Sequence, residues 1–584
     1  MGKVKSFVKN NIILIIIFLL FIITRLLNFT DTIRYESSQW ILQVMQFITI
    51  KWQIFHLIPH FPLAVILYKV WALAIWNTII WVKAMHLLLN VITFFLTYKT
   101  AILFYNDKKV ANWSILLYTI SFYAYAWNTM WIDQDLAINP LLFLLTLYLY
   151  KKYSDFSLKG ISLTVLSCSL LTISRPILWV IVMWIICLDM ISNYIVKNKK
   201  NIKFSWIVCE VFRFLKLFIP YLIIWWLLCY LMLKLFPSPV LKALNTYKNL
   251  FTWNWWYEWV TLLTRFSFLW QVFLYTSPLI ICILPLFRNF KKHKTLLIAS
   301  IIMVLYMFMW LSWWDPARRM MPILPIFSIL LWVVCSQYIN KKNWWLIFAI
   351  ALWLCSFNYL YLDYSLLPYN VNDYLSSPLN KVFILTTTIF SPIYLNSELV
   401  FWIVWITLIL VFLALLQKNR ITKYIFISFS LWINLFLVTT HIFQIKQPHI
   451  TTIWKEMYEF CVKNCDWDKK IYSDQLTKDT IMLWLWDKNI WSYFNLHPDN
   501  DTISATEYLL SNPINLKGIN LFTQGLELED FVDTIKSDWS GFVFMTKYFG
   551  NNEEINVLSE KCETIKKFSW DIDEIYWIVY LCSF

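Results

Sequence analysis

Charge and glycine are the two things this chain has little of. Of its 584 residues only 15% are charged and 6 are glycine, while 60% are hydrophobic and 19% aromatic. The mean hydropathy is +0.58. No water-soluble core could absorb that much apolar surface, which excludes an ordinary soluble protein. Membrane-length apolar runs recur to about residue 442, so the chain reads as a polytopic α-helical membrane protein. A cleavage site is also missing. The first run, Asn11 to Phe29, follows Lys3, Lys5 and Lys9 as in a signal peptide, but no small-residue site ends it and further spans follow. It reads as a retained anchor.

The glycine deficit has a counterpart in 36 tryptophans. Together the two residue types make up about 7% of the chain, the ordinary share of glycine alone. Some bacterial lineages read the UGA codon as glycine and others as tryptophan, so many of these tryptophans read as misassigned glycines. Asp-Trp-Ser-Gly (Asp538 to Gly541), Leu-Trp-Asp-Lys (Leu485 to Lys488) and Ser-Trp-Asp-Ile (Ser569 to Ile572) become natural turns with glycine in place of tryptophan. Interfacial aromatic belts account for tryptophan near membrane surfaces, but not in turns of a soluble segment. No function is therefore built on a tryptophan.

Orientation follows from the basic residues, because short loops rich in Lys and Arg stay on the cytoplasmic side. The basic loops are Asn106 to Asn112, Lys151 to Lys159, Asn193 to Lys216, Arg288 to Lys294, Tyr338 to Asn343 and Gln417 to Lys423. Counting alternately from a cytoplasmic amino terminus gives about 13 spans and leaves every basic loop inside. The carboxyl-terminal region then lies outside. The net charge of +15 is accordingly a topology signal, and no nucleic acid partner is expected.

Acids occupy the opposite loops. Asp31 and Glu36 lie in the first, Asp133 and Asp135 in the tight Trp131 to Asn139 connection, and Asp315 beside Arg318 and Arg319. Carboxylates and guanidinium groups gathered at one face of a bundle imply a polar cavity there. Solvated loops explain Glu258, Asp363 and Asp373 without any function. Asp31 and the Asp133/Asp135 pair stand closer to span ends and are the stronger candidates.

From about residue 446 charges and turn residues become frequent and no run reaches spanning length. The chain therefore divides into a multi-span part, 1–445, and a small extracytoplasmic domain, 446–584, large enough for its own core. Thr451 to Cys465 has helical spacing; Lys470 to Ser473, Gly541 to Met545 and Glu574 to Cys582 read as strands, so an α/β arrangement is expected. Seven of the 11 cysteines fall in the multi-span part. Cys461, Cys465, Cys562 and Cys582 lie in the tail, where an oxidising outer face permits disulfides whose pairing stays open. No His or Cys pattern there fits zinc, and no structural metal is expected in the tail.

With these residues in view, the chain resembles the GT-C-fold glycosyltransferases that use polyprenyl-phosphate sugars, the group containing protein mannosyltransferases and aminoarabinose transferases. The resemblance rests on the order of short motifs in the membrane part. Asp31-Thr-Ile-Arg-Tyr-Glu36 follows the first span and His60-Phe-Pro-Leu63 closes that loop. Asp133-Gln-Asp135 then precedes Ser174-Arg-Pro176 and Asp315-Pro-Ala-Arg-Arg-Met-Met-Pro322. The family often has two adjacent acids in the first motif and His-Pro-Pro-Leu in the second, whereas here Thr32 follows Asp31 and Phe61 follows His60.

The resemblance implies inverting transfer of a hexosyl or pentosyl group to a lipid, glycan or protein acceptor at the outer face of the cell membrane. Such transfer needs a carboxylate to accept the hydroxyl proton and cations to hold the departing phosphate. Asp31 is the expected base, with Asp133 or Asp135 positioning the acceptor or sharing that role. Arg318 and Arg319 are the expected phosphate clamp, since guanidinium forks onto phosphate oxygens and keeps its charge near lipid. Interfacial snorkelling is the plainer account of both arginines. His56 and His60 are candidates to touch sugar or phosphate, against a purely structural role. Arg34, Glu36, Arg175 and Asp315 complete the candidate substrate contacts. A divalent metal between Asp31 and the second acidic motif stays open, because two or three carboxylates do not specify one. A lipid-linked saccharide flippase would instead place ionisable residues near mid-span, and a non-catalytic membrane scaffold gives no reason for acids and arginines at span ends.

Overall fold

The computed structural model describes, in the main, residues 2–27, 78–121, 134–154, 157–197, 204–235, 289–310 and 318–336 of the membrane part. Of the tail it describes 470–473, 514–516, 519–523, 540–547, 562–569 and 576–583, and a few single positions elsewhere. Helices α1 (Gly2–Leu26), α2 (Thr78–Tyr105), α3 (Lys108–Ile120), α4 (Gln134–Lys152), α5 (Leu158–Ser174) and α6 (Pro176–Lys197) come first. They are followed by α7 (Phe204–Leu235), α8 (Phe290–Trp310), a 3₁₀ helix (Arg318–Ile323) and α9 (Leu324–Ser336).

Local chemistry sets several boundaries. Asn106 takes a left-handed φ of 50°, which Asn tolerates better than most residues, and lets the chain leave α2. Asp107 then caps α3, its carboxylate accepting the Lys109 N–H at 2.7 Å. Ser157 caps α5, and Gly160 in its first turn lies so close to Tyr153 that an added Cβ would collide with the Tyr153 Cβ. Pro176 cannot continue α5 but suits the first position of α6, so Arg175 before it is extended at φ −149° and ψ 101°.

Buried contacts show how the helix ends align. At one end Tyr150, near the close of α4, donates to the Asp189 carboxylate of α6 at 2.9 Å, and Thr295, at the start of α8, donates to the same group at 2.7 Å. Tyr105 ends α2 within 2.9 Å of His293 of α8. Lys108, Lys109, Lys151, Lys152, Lys197, Lys291 and Lys292 all belong to this end of their helices. At the opposite end Arg25 of α1 donates to the Thr119 carbonyl of α3 at 2.9 Å, and Ser174 of α5 donates to Asn139 of α4 at 2.6 Å. Helices of 19, 22 and 21 residues (α4, α6, α8) separate the two ends. At 1.5 Å per residue that is about 30 Å, the thickness of a bilayer's hydrocarbon core.

Among the described residues, Trp81–Tyr105 and Phe212–Leu231 are long and apolar enough to cross a membrane, and Asn11–Leu26, Leu158–Ser174, Ile177–Asn193 and Met321–Val333 are shorter apolar helices. Phe212, Ile223 and Trp226 of α7 stay more than 60% exposed, an arrangement suited to lipid rather than water as solvent. Within the bundle, hydroxyls are satisfied locally: Thr93, Thr97, Ser114, Thr146 and Ser300 each donate to the carbonyl four residues back. Thr146 also bonds Ser167, and Thr172 bonds Tyr221, each at 2.8 Å, joining α4 to α5 and α5 to α7.

Six strands of the tail form one mixed sheet: β1 (Lys470–Ser473), β2 (Ile514–Leu516), β3 (Ile519–Thr523), β4 (Ser540–Lys547), β5 (Glu563–Ser569) and β6 (Tyr576–Ser583), in the order β2-β3-β1-β4-β6-β5. β1 lies parallel to both β3 and β4, and the remaining pairings are antiparallel. The strands expected at Lys470, Gly541 and Glu574 fall on β1, β4 and β6. Cys562, which precedes β5, is disulfide-bonded. Continuing the β5–β6 register one residue beyond Glu563↔Leu581 sets it opposite Cys582. The helix expected at Thr451 to Cys465 lies outside the described residues apart from Phe460, which is helical.

Candidate functional site

The end of the bundle opposite the basic one holds the described candidate residues. Asp135 lies in the first turn of α4, not in a connecting loop as its neighbours suggested, because the helix begins at Gln134. A carboxylate in a first turn is favoured by the unpaired N–H groups and the positive end of the helix dipole. One turn further along, Asn139 is fully buried and accepts a hydrogen bond from Ser174, itself 1% exposed. This bond holds the end of α5 against the start of α4, and the Arg175-Pro176 break follows it. Arg175 is thereby placed at the same end of the bundle, its N–H closing α5 on the Leu171 carbonyl.

Arg318 and Arg319 open the 3₁₀ helix between α8 and α9. That helix packs against α4 and also touches α8 and α9. α8 begins at the basic end and crosses the bundle, so the segment after it returns to the end where α4 begins. The fold therefore brings Asp135 and the paired arginines onto touching elements, although they stand 183 positions apart in the sequence. Asp31, Arg34, Glu36, His56, His60, Asp133 and Asp315 lie outside the described residues. Among the described residues no three His, Cys, Asp or Glu side chains come together as a metal-holding group.

Three basic residues at this end are not apparent as candidates from the sequence. Arg25 closes α1 at 2% exposure; Lys83 and His86, in the second and third turns of α2, are 5% and 2% exposed. Arg25 falls within the first apolar run and the other two within a later one. The signal that could have found them is their ionisable character inside membrane-length runs, which is costly and seldom kept without a role.

No family model and no curated protein matches the sequence. Solved structures do match the fold. ArnT from Cupriavidus metallidurans in the apo state superposes with a TM-score of 0.55 at 10% identity, over 99% of this chain and 98% of that one. ArnT from the same organism bound to undecaprenyl phosphate superposes with a TM-score of 0.55 at 11% identity, over 98% and 97% of the two chains. The likeness of fold to these two structures thus extends over nearly the whole chain.

Proposed function

We propose that this protein is an integral membrane glycosyltransferase that moves a sugar from a polyprenyl phosphate to a hydroxyl of a lipid, glycan or protein. Transfer takes place at the outer face of the cell membrane, the acid-bearing end of the bundle, with residues 446–584 as a domain on the same side. The observation that carries the reading is the packing of the Arg318–Ile323 helix on α4, whose first turn holds Asp135, within the fold shared with ArnT. Transfer needs a carboxylate and phosphate-binding cations within one site, and these motifs have those residue types.

In this mechanism Asp31 accepts the acceptor hydroxyl proton as the oxygen bonds to the anomeric carbon. The bond from that carbon to the phosphate oxygen breaks, and its electron pair leaves with the polyprenyl phosphate. A single displacement of this kind inverts the anomeric configuration. Asp133 or Asp135 orients the acceptor, and Arg318 and Arg319 hold the phosphate by forked, charge-assisted hydrogen bonds. Arg34, Glu36, His56, His60, Arg175 and Asp315 contact sugar or phosphate.

The test compares transfer of a labelled sugar from polyprenyl phosphate in membranes carrying each variant at matched protein level. Asp31→Asn is expected to slow transfer by about 10² to 10⁴-fold while leaving donor binding intact, because an amide is nearly isosteric but cannot take a proton. Arg318→Ala or Arg319→Ala is expected to weaken donor use by about 1.5–3 kcal/mol, one charged hydrogen bond. Wild-type rates for Asp31→Asn with loss in Asp133→Asn or Asp135→Asn would move the base to the second motif. Indifference to all three would remove the assignment.

A further inference from the structure

The basic end of the bundle carries lysines where a helix accommodates them least. α3 and α8 both begin at this end, and neither has an acid in its first turn. Lys108 and Lys109 open α3, and Lys291 and Lys292 follow Phe290 at the start of α8. The unpaired N–H groups and the positive end of the dipole favour carboxylates there, so a first-turn lysine adds repulsion to its own helix. All four side chains are exposed. Asp107 stands beside the first pair, and its carboxylate already accepts the Lys109 N–H at 2.7 Å.

Tertiary structure joins the two pairs. Tyr105 closes α2 just before Lys108, and its hydroxyl lies 2.9 Å from Nδ1 of His293, the residue after Lys292, with the two rings 5.6 Å apart. The chain turns from α2 to α3 through Asn106 and Asp107 alone. So short a connection cannot carry Lys108 and Lys109 away from the bundle, and they stay at the depth where the apolar span Trp81–Tyr105 stops. Rings mark the same depth: Phe287 stacks with Phe290 at 6.5 Å, and the Lys151 ammonium stands 5.4 Å from the centre of the Phe104 ring. Aromatic side chains beside lysines at the end of a span suit a membrane–water interface. Keeping one side of a membrane positive requires lysines somewhere in the flanking loops, but not two pairs at adjoining helix starts. The anions present at that depth are phospholipid headgroups, whose phosphate oxygens accept hydrogen bonds from ammonium groups.

We propose that the adjoining starts of α3 and α8 form a binding site for the headgroup of an anionic phospholipid, with Lys108, Lys109, Lys291 and Lys292 as the contacts to its phosphate. A zwitterionic headgroup brings its own cation and gains little from four ammonium groups, so the site separates anionic from zwitterionic lipid. The site lies at the end of the bundle opposite Asp135 and Arg318, and it is independent of the transfer chemistry.

The experiment uses the full-length protein in phosphatidylcholine vesicles that also contain phosphatidylglycerol. A trace of one lipid or the other carries a photoreactive group near its phosphate. After illumination and digestion, peptides covering residues 105–112 and 290–295 are scored for lipid adducts. The phosphatidylglycerol probe should label both peptides, and unlabelled phosphatidylglycerol should displace it at least about fivefold better than phosphatidylcholine does. One lysine at a membrane surface is worth about fivefold in association with anionic lipid, so Lys291→Gln with Lys292→Gln should lower the adduct yield by at least that factor. Lys108→Gln with Lys109→Gln should do the same, and all four together should bring the yield to the phosphatidylcholine level. Lys566→Gln with Lys567→Gln, an exposed pair on β5, should change nothing. If the fourfold variant does not insert, the two pair variants decide alone. Equal labelling of the wild type by the two lipids overturns the proposal, as does an undiminished yield in both pair variants. Displacement of the probe by inorganic phosphate as effectively as by phosphatidylglycerol would assign the lysines to a soluble anion and overturn it too.

Discussion

Removing the carboxylate of Asp189 should be among the most damaging single changes in the described part of the bundle. The group is 1% exposed and accepts hydrogen bonds from Tyr150 at 2.9 Å, Asn193 at 3.1 Å and Thr295 at 2.7 Å. The Lys294 ammonium lies 3.9 Å away and also bonds the Asn193 side-chain oxygen. Lys294 itself is 7% exposed. Asp189→Leu takes the carboxylate away from that buried ammonium and takes the acceptor from three donors on α4, α6 and α8. Breaking a buried ion pair from one side costs about 3–5 kcal/mol. Summing three separate charged hydrogen bonds would give more, but burying the carboxylate already cost part of that energy.

The double variant is the sharper test. Asp189→Leu with Lys294→Met removes both charges, and the Thr295 hydroxyl can turn to the carbonyl four residues back, as many others in this bundle do. It should therefore regain most of the loss and lie within about 1–2 kcal/mol of wild type. Reversible unfolding of the full-length protein in mixed micelles, followed by helical circular dichroism, measures both. A single variant costing under about 1 kcal/mol, or a double variant worse than the single, would refute the view that most of the loss comes from an uncompensated buried charge.

Three further expectations concern the chain as a whole. Peptide mapping without reductant should find Cys562 joined to Cys582; the loop of about 20 residues makes the link worth about 3 kcal/mol, and a Cys562 peptide joined to Cys461 or Cys465 would overturn the pairing read from the sheet register. A cysteine-directed label that cannot cross membranes should reach a cysteine placed at Asp499 from outside and miss one placed at Lys199; labelling at Asp499 only after lysis would reverse the orientation. Peptide masses from natively expressed protein should show glycine at Trp486, Trp539 and Trp570, and the tryptophan mass at all three would sink the codon reading. Trp332 gives that reading a structural reason, since its buried indole N–H has no hydrogen-bond partner among the described residues, a costly state that glycine would remove.

The apolar runs, the basic loops and the change of composition after about residue 446 are legible in the sequence because each depends on composition or on short-range pattern. An apolar run long enough to span a bilayer needs no partner to be recognised, and Lys108, Lys151 and Lys291 mark the ends of their helices by charge alone. The tail strands at β1, β4 and β6 are legible for the same reason, since alternation is local. Asp135 is legible as a candidate but not as a helical residue, because α4 begins at Gln134, inside the stretch that reads as a tight connection. The meeting of Arg318–Ile323 with α4, the tie from Arg25 to Thr119 and the convergence of Tyr150, Asn193 and Thr295 on Asp189 were decided by tertiary structure alone. Apart from Asn193, which stands four residues from Asp189 on α6, the partners are remote in sequence and lie on different helices, and nothing in local periodicity records which helix faces will touch. A buried charge can be noticed in a sequence, but the group that stabilises it is chosen only when the helices pack.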